Sequence, residues 1–361
     1  MVKTNTKKIC IVVTSLGGGG AERSSATLSE ILFDLGYDVH IVSVLDDIQY
    51  PYKGKLLNLG ELKAKNDSSL GRLQRLGVFK GYLKKHGFDY VIDNRTRIGF
   101  WKELIISRWA YKTKKIIYCV RSYNTDLYIN PNKYLGKILY RSAYKIVTVS
   151  LAIKEKLEKD YNFNNLSTIY NPIDLKPDET KSENFSGKYI LFFGRLDDSV
   201  KNISLLLEAY SESNLPDLNI KLKILGDGED KDMLIEKTES LKLEEKVEFL
   251  GFQPNPNSII KPSLFTVLTS RYEGFPRALI ESLALEVPVI SVDCKSGPNE
   301  IVVDEQNGLL VENYNVEALA KALNKMVQDE ELYLHCKSNS KASVEKFSKE
   351  DIGMQWRTIL K

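Results

Sequence analysis

Arg271-Tyr-Glu-Gly-Phe-Pro-Arg-Ala-Leu-Ile-Glu281 joins a polar loop to the mouth of a helix. Phe265, Val267 and Leu268 precede it as a short apolar strand, and Gly274 with Pro276 marks a turn whose proline suits the first helical position. From Ala278 onward, Leu279, Ile280, Leu283 and Leu285 form the apolar face of a helix. Glu273 therefore falls on the loop after a strand, and Glu281 falls inside the helix. In an α/β sheet that is the carboxyl edge, where ligands collect. Two acids facing a cleft suit a partner rich in hydroxyl donors, such as a ribose or a hexose. A solvated loop acid followed by an ordinary helix-surface acid gives the same spacing.

Outward from this stretch, strand-like and helix-like segments alternate along the whole chain, which argues for parallel sheets. In the first half, residues 8–16, 39–45, 90–93, 115–120 and 146–149 are strand-like, and a helix over 21–35 follows a glycine run. Asn171-Pro-Ile-Asp174 and the polar, acidic stretch to Gly187 break the pattern. A second alternation takes strands at 188–193, 219–225, 246–250, 264–268 and 287–292, and a terminal helix runs from about Ser348 through Trp356. The expected domains are residues 1–172, residues 173–347 and a terminal helix over 348–361. No short-period repeat is visible, which excludes a solenoid.

The length of 361 residues favours two domains. An apolar content of 43% and a charged content of 27% are those of an ordinary globular protein. No run approaches the roughly 18 apolar residues of a membrane span, and the first residues lack a secretory apolar core. Cys10, Cys119, Cys294 and Cys336 are scattered, as free thiols in a reducing cytosol would be. The net charge of +3 hides an asymmetry. Residues 1–172 carry 28 Lys and Arg against 15 Asp and Glu, a net of +13, and the remainder carries 23 against 33, a net of −10.

Several further stretches stand in order along the chain: Gly17-Gly-Gly-Gly-Ala-Glu-Arg23, Phe193-Gly-Arg195-Leu with Lys201-Asn202, Gly226-Asp-Gly228, and Ser296-Gly-Pro-Asn-Glu300-Ile. Together with Glu273-Gly-Phe-Pro and Leu279-Ile-Glu-Ser-Leu-Ala, they resemble glycosyltransferase family 4, and the resemblance spans nearly the whole chain. It implies a GT-B fold, with two Rossmann-like domains whose parallel sheets face a central cleft and a C-terminal helix crossing back to the first domain. It also implies a retaining, metal-independent transfer of a hexose or N-acetylhexosamine from a nucleotide sugar, UDP-linked by preference, with GDP-mannose open. The acceptor would be a glycan or lipid-linked oligosaccharide in bacterial lipopolysaccharide or capsule synthesis. Domain closure would exclude water, whose attack would waste the donor.

On that resemblance, Arg195 and Lys201 neutralise the departing diphosphate, and Glu273 with the Gly274–Pro276 backbone holds hexose hydroxyls. Glu281 accepts from the ribose, and Gly19, Gly194, Phe275, Pro276 and Leu279 complete the donor contacts. The residues alone say less. Gly17–Gly20 let a backbone approach a ligand closely at a helix N-terminus that favours an anion, or they form only a tight turn. A dinucleotide fingerprint fails at Glu22, and Asp46 and Asp47 stand too far from the glycines for the usual ribose acid. Arg195 and Lys201 flank a polar loop at a strand's carboxyl end, where two cations can hold a diphosphate. No Asp-x-Asp at a strand end and no His/Cys cluster is present, so no metal or other cofactor is expected. Asp227, Glu229 and Asp230 are explained by turn and helix-start chemistry. His40, His86 and His335 lie away from the candidate loops. Cys119-Val-Arg121-Ser resembles the arginine variant of a segment where many family members place a histidine. The donor phosphate would then take the acceptor proton, with no enzymic nucleophile.

Ser69–His86 carries five Lys and Arg and no acid, with Leu70, Leu73, Leu76 and Leu83 at roughly helical spacing. Trp101, Trp109 and Tyr111 follow among Lys102, Arg108, Lys112, Lys114 and Lys115. Such a face suits an anionic inner-leaflet membrane surface, placing the enzyme at the inner face of the cytoplasmic membrane. Arg95, Arg97 and Arg121 would there meet an acceptor's phosphates. A core-packing helix with a solvated basic rim fits the same residues. No base-reading motif is visible, so no nucleic-acid partner is expected. The alternatives for function are another GT-B enzyme, such as a sugar-nucleotide epimerase, and a non-catalytic membrane-associated protein that keeps the fold. The full set Arg195, Lys201, Glu273 and Glu281 argues against the latter.

Overall fold

Among the described residues (6–111, 115–175, 187–253 and 255–361), every named strand of this computed structural model runs parallel to its neighbours. Lys112, Lys114 and most of the acidic stretch before Gly187 fall outside that set. The chain forms two compact units: Met1–Pro172 with Lys349–Lys361, and Ile173–Ser348.

In unit 1, the strands are β1 (Lys8–Val13), β2 (Asp38–Ser43), β3 (Lys55–Asn58), β4 (Tyr90–Asp93), β5 (Ile116–Val120), β6 (Lys145–Thr148) and β7 (Leu166–Thr168). They lie in the order β3-β2-β1-β4-β5-β6-β7. The central strands are continuous apolar runs because helices cover both faces: Ile9, Cys10, Ile11 and Ile92 have no exposed surface. The terminal helix Lys349–Ile359 belongs to this unit and lays Ile352 and Trp356 into its core, with Leu360 just beyond it. Gly353 permits the approach, since a Cβ there would stand 3.0 Å from Ile31 Cγ2 on the helix Gly20–Asp34.

Unit 2 contains β8 (Tyr189–Phe193), β9 (Lys221–Leu225), β10 (Val247–Gly251), β11 (Thr266–Leu268), β12 (Val289–Val292) and β13 (Gly308–Val311), in the order β10-β9-β8-β11-β12-β13. Both sheets reverse their strand order once, between β1 and β4 and between β8 and β11. Adjacent loops diverge at such a reversal and leave a crevice at the strands' carboxyl ends.

The basic helix is Ser69–His86. The Ser68 hydroxyl caps its start by accepting from Gly71 N at 3.2 Å, and Gly87, at φ +60, ends it. Its leucines do not share one buried stripe. Phe79 and Leu83 face inward, whereas Leu70 and Leu73 are 76% and 65% exposed.

Candidate functional site

In unit 2, the chain leaves β8 through Gly194-Arg195-Leu196 and makes one short helix, Asp198–Lys201. Gly194 N donates to the Leu225 carbonyl and Leu196 N to the Asp227 carbonyl, both at 2.9 Å. The β8 and β9 loops are thereby laced together. Gly226, at φ +143, is required here, because a Cβ would overlap the Gly194 carbonyl. Asp230 does not cap the helix it precedes; its Oδ2 accepts from Asp198 N at 2.7 Å and fixes the start of the Lys201 helix. Arg195 is exposed at the loop's crest.

The loop after β11 comes in from the other side of the reversal. Arg271 N donates to the Val200 carbonyl at 2.8 Å and Thr269 Oγ1 to the Lys201 carbonyl at 3.0 Å. This docking brings the two side chains into contact: Lys201 Nζ lies 2.6 Å from Glu273 Oε1, and Ser270 Oγ donates to the same oxygen at 2.7 Å. The side chains keep 22% and 13% of their surface exposed, so the pair lines an accessible edge. The lysine expected at a diphosphate and the acid expected at sugar hydroxyls are one hydrogen-bonded unit.

Behind them, Glu273 N donates to the Lys295 carbonyl at 2.9 Å, and the buried Ser296 hydroxyl donates to the Gly274 carbonyl at 2.9 Å. The Ser296-Gly-Pro loop thus braces Glu273-Gly-Phe-Pro. The helix begins at Arg277, one residue later than the proline implied, with Pro276 as its cap residue. Phe275 is buried edge-to-face on Phe347 at 5.0 Å and Leu279 is 1% exposed. Their side chains are packing, and a ligand contact at Phe275 is left to its backbone. Glu281 is 9% exposed and accepts from Arg277 Nε at 3.1 Å and Nη2 at 2.8 Å. Arg277 was missed in the sequence, although an Arg four residues before a Glu on a helix is a legible pairing signal. Burial pushes the Cys294 thiol well above its usual range, and the Glu273 carboxylate adds to that. This cysteine stays protonated and is no nucleophile.

In unit 1, Gly18 is at φ +80 and Gly19 is the extended cap of the helix Gly20–Asp34. At Gly17 a Cβ would overlap the Asp47 carboxylate. Across the sheet reversal, Asn94 Nδ2 donates to Ser25 Oγ at 3.1 Å, and Asn94 Oδ1 accepts from Arg121 Nε at 3.4 Å and Nη2 at 3.3 Å. Asn171 Oδ1 accepts from Arg121 Nη1 at 3.0 Å. Arg121 is therefore half-buried and held by neutral oxygens, its positive charge uncompensated by them.

Arg95 and Arg97 are elsewhere, which corrects their expected role at an acceptor. Arg95 donates to Asp93 Oδ1 at 3.0 Å, to Asp93 Oδ2 at 2.7 Å and to Glu103 Oε2 at 3.1 Å. Arg97 donates to the carbonyls of Tyr128, Asp93, Arg95 and Cys119, within a cage of Tyr118, Tyr140 and Tyr128 rings 4.9, 5.5 and 5.6 Å away. Burial would raise the Asp93 carboxyl, but the Arg95 and Arg97 guanidinium groups outweigh it and hold the acid below its usual range. Arg97 ties β4 and β5 to the loop that follows Arg121, Arg95 ties β4 to the helix carrying Glu103, and both are matched by the buried carboxylates of Asp93 and Glu103.

Residues 18–177 match the family described as Glycosyltransferase Family 4, and residues 176–343 match Glycosyl transferases group 1. The chain is 32% identical to N-acetylgalactosamine-N,N'-diacetylbacillosaminyl-diphospho-undecaprenol 4-alpha-N-acetylgalactosaminyltransferase of Campylobacter jejuni, over 96% of this chain and 97% of that protein. It is 27% identical to the amylovoran biosynthesis glycosyltransferase AmsD of Erwinia amylovora, over 98% and 99%. Among solved structures, S. aureus TarM superposes with a TM-score of 0.81 at 16% identity, covering all of both chains. Anabaena HepE in complex with UDP and glucose gives 0.80 at 18%, over 98% of this chain and 99% of that one. The chain belongs to the GT-B glycosyltransferases that join a Glycosyltransferase Family 4 domain to a Glycosyl transferases group 1 domain.

Proposed function

We propose that this glycosyltransferase moves a hexose or N-acetylhexosamine from a UDP-sugar to a lipid-diphosphate-linked glycan during bacterial surface polysaccharide synthesis, with retention at the anomeric carbon and without a metal. The observation that carries the reading is the Lys201–Glu273 pair at the reversal of the unit 2 sheet. Lys201 and Arg195 meet the diphosphate, Glu273 and the Gly274 backbone meet sugar hydroxyls, and Glu281, oriented by Arg277, accepts from the ribose. The UDP complex of HepE supports the nucleotide, and the named activity of the Campylobacter relative supports the acceptor class. In unit 1, Arg121, linked through Asn94 to Ser25 on the helix that follows the glycine loop, supplies positive charge for a phosphate.

In the reaction, the acceptor hydroxyl oxygen bonds to the anomeric carbon on the face the diphosphate leaves. The carbon–oxygen bond to the β-phosphate breaks, and the acceptor proton passes to that phosphate oxygen, releasing UDP. Lysine and arginine stabilise the charge that grows on the leaving group. This scheme asks for no enzymic base, consistent with His40, which is turned into the unit 1 interior against Tyr82 at 2.6 Å. The test is transfer from a panel of UDP-hexoses to a polyprenyl-diphosphate disaccharide with EDTA present, the new linkage read by NMR. An α-linkage from an α-donor supports the reading. A β-linkage refutes retention, and activity restored only by a divalent ion refutes metal independence.

A further inference from the structure

Nine of the eighteen exposed large hydrophobic side chains among the described residues fall within residues 70–138 of unit 1, so they are clustered rather than scattered. Eight of the nine, all but Ile98, sit on three helical segments: Ser69–His86 and Lys133–Tyr140 each contact the one between them, Phe100–Ile105 continued by Ile106–Ala110. On the first, Leu73, Lys80 and Lys84 share one face, and Lys80 Nζ stands 3.5 Å above the Trp109 ring of the second. Trp101 and Ile105, one turn apart, are 74% and 49% exposed. Arg108 Nη2 donates to the Ile138 carbonyl at 2.9 Å and ties in the third segment, which presents Tyr134 and Ile138 outward.

The charges on this face have one sign. The three segments carry nine Lys and Arg and a single acid, Glu103. Glu103 is 4% exposed and bound to Arg95, so it offers no negative surface. Asp67 and Asp160 from neighbouring segments pair with Arg75 and Lys133, and the nine cations still outnumber these three acids by six. A solvated basic rim accounts for the lysines but not for tryptophan and leucine side chains open among them. Exposed apolar clusters of this kind mark interaction surfaces. A nucleic acid accounts for the cations but not for Leu70, Leu73, Ile105 and Ile138, which have no hydrogen bonds to give. Amphipathic aromatics ringed by cations match one chemistry, the boundary between anionic headgroups and acyl chains.

We propose that this face docks unit 1 on a bilayer carrying anionic headgroups, with Trp101, Trp109 and the neighbouring aliphatic side chains inserted and Lys84, Lys85, Lys102, Arg108 and Lys137 at the headgroups. The inference goes beyond the transferase reading and does not require it.

The chain contains its own reporter. It has three tryptophans, and the third, Trp356, is buried in the unit 1 core. The test adds vesicles of phosphatidylglycerol and phosphatidylcholine, or of phosphatidylcholine alone, to the full chain at low salt. The expected result is a blue-shifted emission quenched by brominated acyl chains with the anionic vesicles only. Trp101→Ser with Trp109→Ser, which removes both reporters and is therefore read by co-sedimentation, weakens binding to the anionic vesicles. Lys84→Glu with Lys85→Glu weakens co-sedimentation by at least roughly thirtyfold for two cations removed. All four positions lie on this exposed or part-exposed face, so the variants are expected to keep the wild-type melting temperature, and transfer to a water-soluble acceptor reports whether the donor site still works. The proposal is overturned if the wild type stays in the supernatant with anionic vesicles, if the variants bind as the wild type does, or if a single-stranded RNA binds where the vesicles do not.

Discussion

Lys201 Nζ and Glu273 Oε1, 2.6 Å apart, lie 72 residues from each other in sequence and are joined because the β11 loop is pinned to the backbone of the β8 loop at Val200 and Lys201. The cation proposed for the leaving diphosphate and the acid proposed for the sugar are thus positioned by one another. Lys201→Ala is expected to lower kcat by about 10²–10³, the usual cost of losing a preorganised charge at a transition state. Because the residues act as a unit, Lys201→Ala with Glu273→Ala should cost less than the two single losses multiplied. Steady-state kinetics on the four proteins of the cycle checks this, and strictly multiplicative losses would show that the contact has no catalytic meaning.

Arg277 is predicted to act through Glu281. Arg277→Met should raise KM for the nucleotide sugar while leaving kcat within about threefold, since it removes only the orientation of a ribose contact shared by ground and transition states. A fall in kcat with KM unchanged would place Arg277 at the reacting centre.

Arg97 is predicted to matter for stability and not for acceptor affinity. Arg97→Met leaves Asp93 short of a buried partner and four carbonyls without their donor, a loss of about 3–5 kcal/mol. Arg97→Lys should recover only part of this, because an ammonium cannot fan out to four carbonyls within a tyrosine cage. Denaturant unfolding measures both variants, and wild-type stability with weakened acceptor binding would return Arg97 to the acceptor.

His40 gives unit 1 a predicted acid sensitivity. Burial holds its imidazole below the ordinary 6.5; Asp38 opposes this, while Lys55 and His86 reinforce it. The folded chain therefore binds a proton less readily than the unfolded one. The stabilisation is complete above about pH 6.5 and is lost as pH falls through the lower folded-state value. His40→Gln, which can still meet the Tyr82 hydroxyl, should flatten the fall in melting temperature between about pH 6.5 and 5. The lowered His86, packed on His40 at 4.6 Å, keeps some of the slope.

Much of this architecture was legible in the sequence because parallel sheets covered on both faces leave continuous apolar strands, as at Ile9–Val13 and Tyr189–Phe192. The strands that were not legible are β3, β7 and β13, all at sheet edges; in β3 and β7 polar residues break the apolar run, and β13 is a short run of four opening on a glycine. The helix of Ser69–His86 was legible, but not which leucines turn inward, since Phe79 and Leu83 displaced Leu70 and Leu73 from the core. At the site, Lys201 and Glu273 were recognised separately, and only folding revealed their contact. Arg95 and Arg97 look like ligand cations in sequence because nothing local says that Asp93, Glu103 and a ring of carbonyls will enclose them.

The central claim is that the β8 and β11 loops of unit 2 hold a nucleotide sugar. Calorimetric titration of UDP-hexoses into the wild type, Lys201→Ala and Glu281→Ala tests it most directly. One UDP-sugar should bind the wild type, with affinity at least tenfold weaker in each variant, the loss of about one charge-assisted hydrogen bond. Binding of equal strength in all three proteins, or no UDP-sugar bound by the wild type, would contradict it.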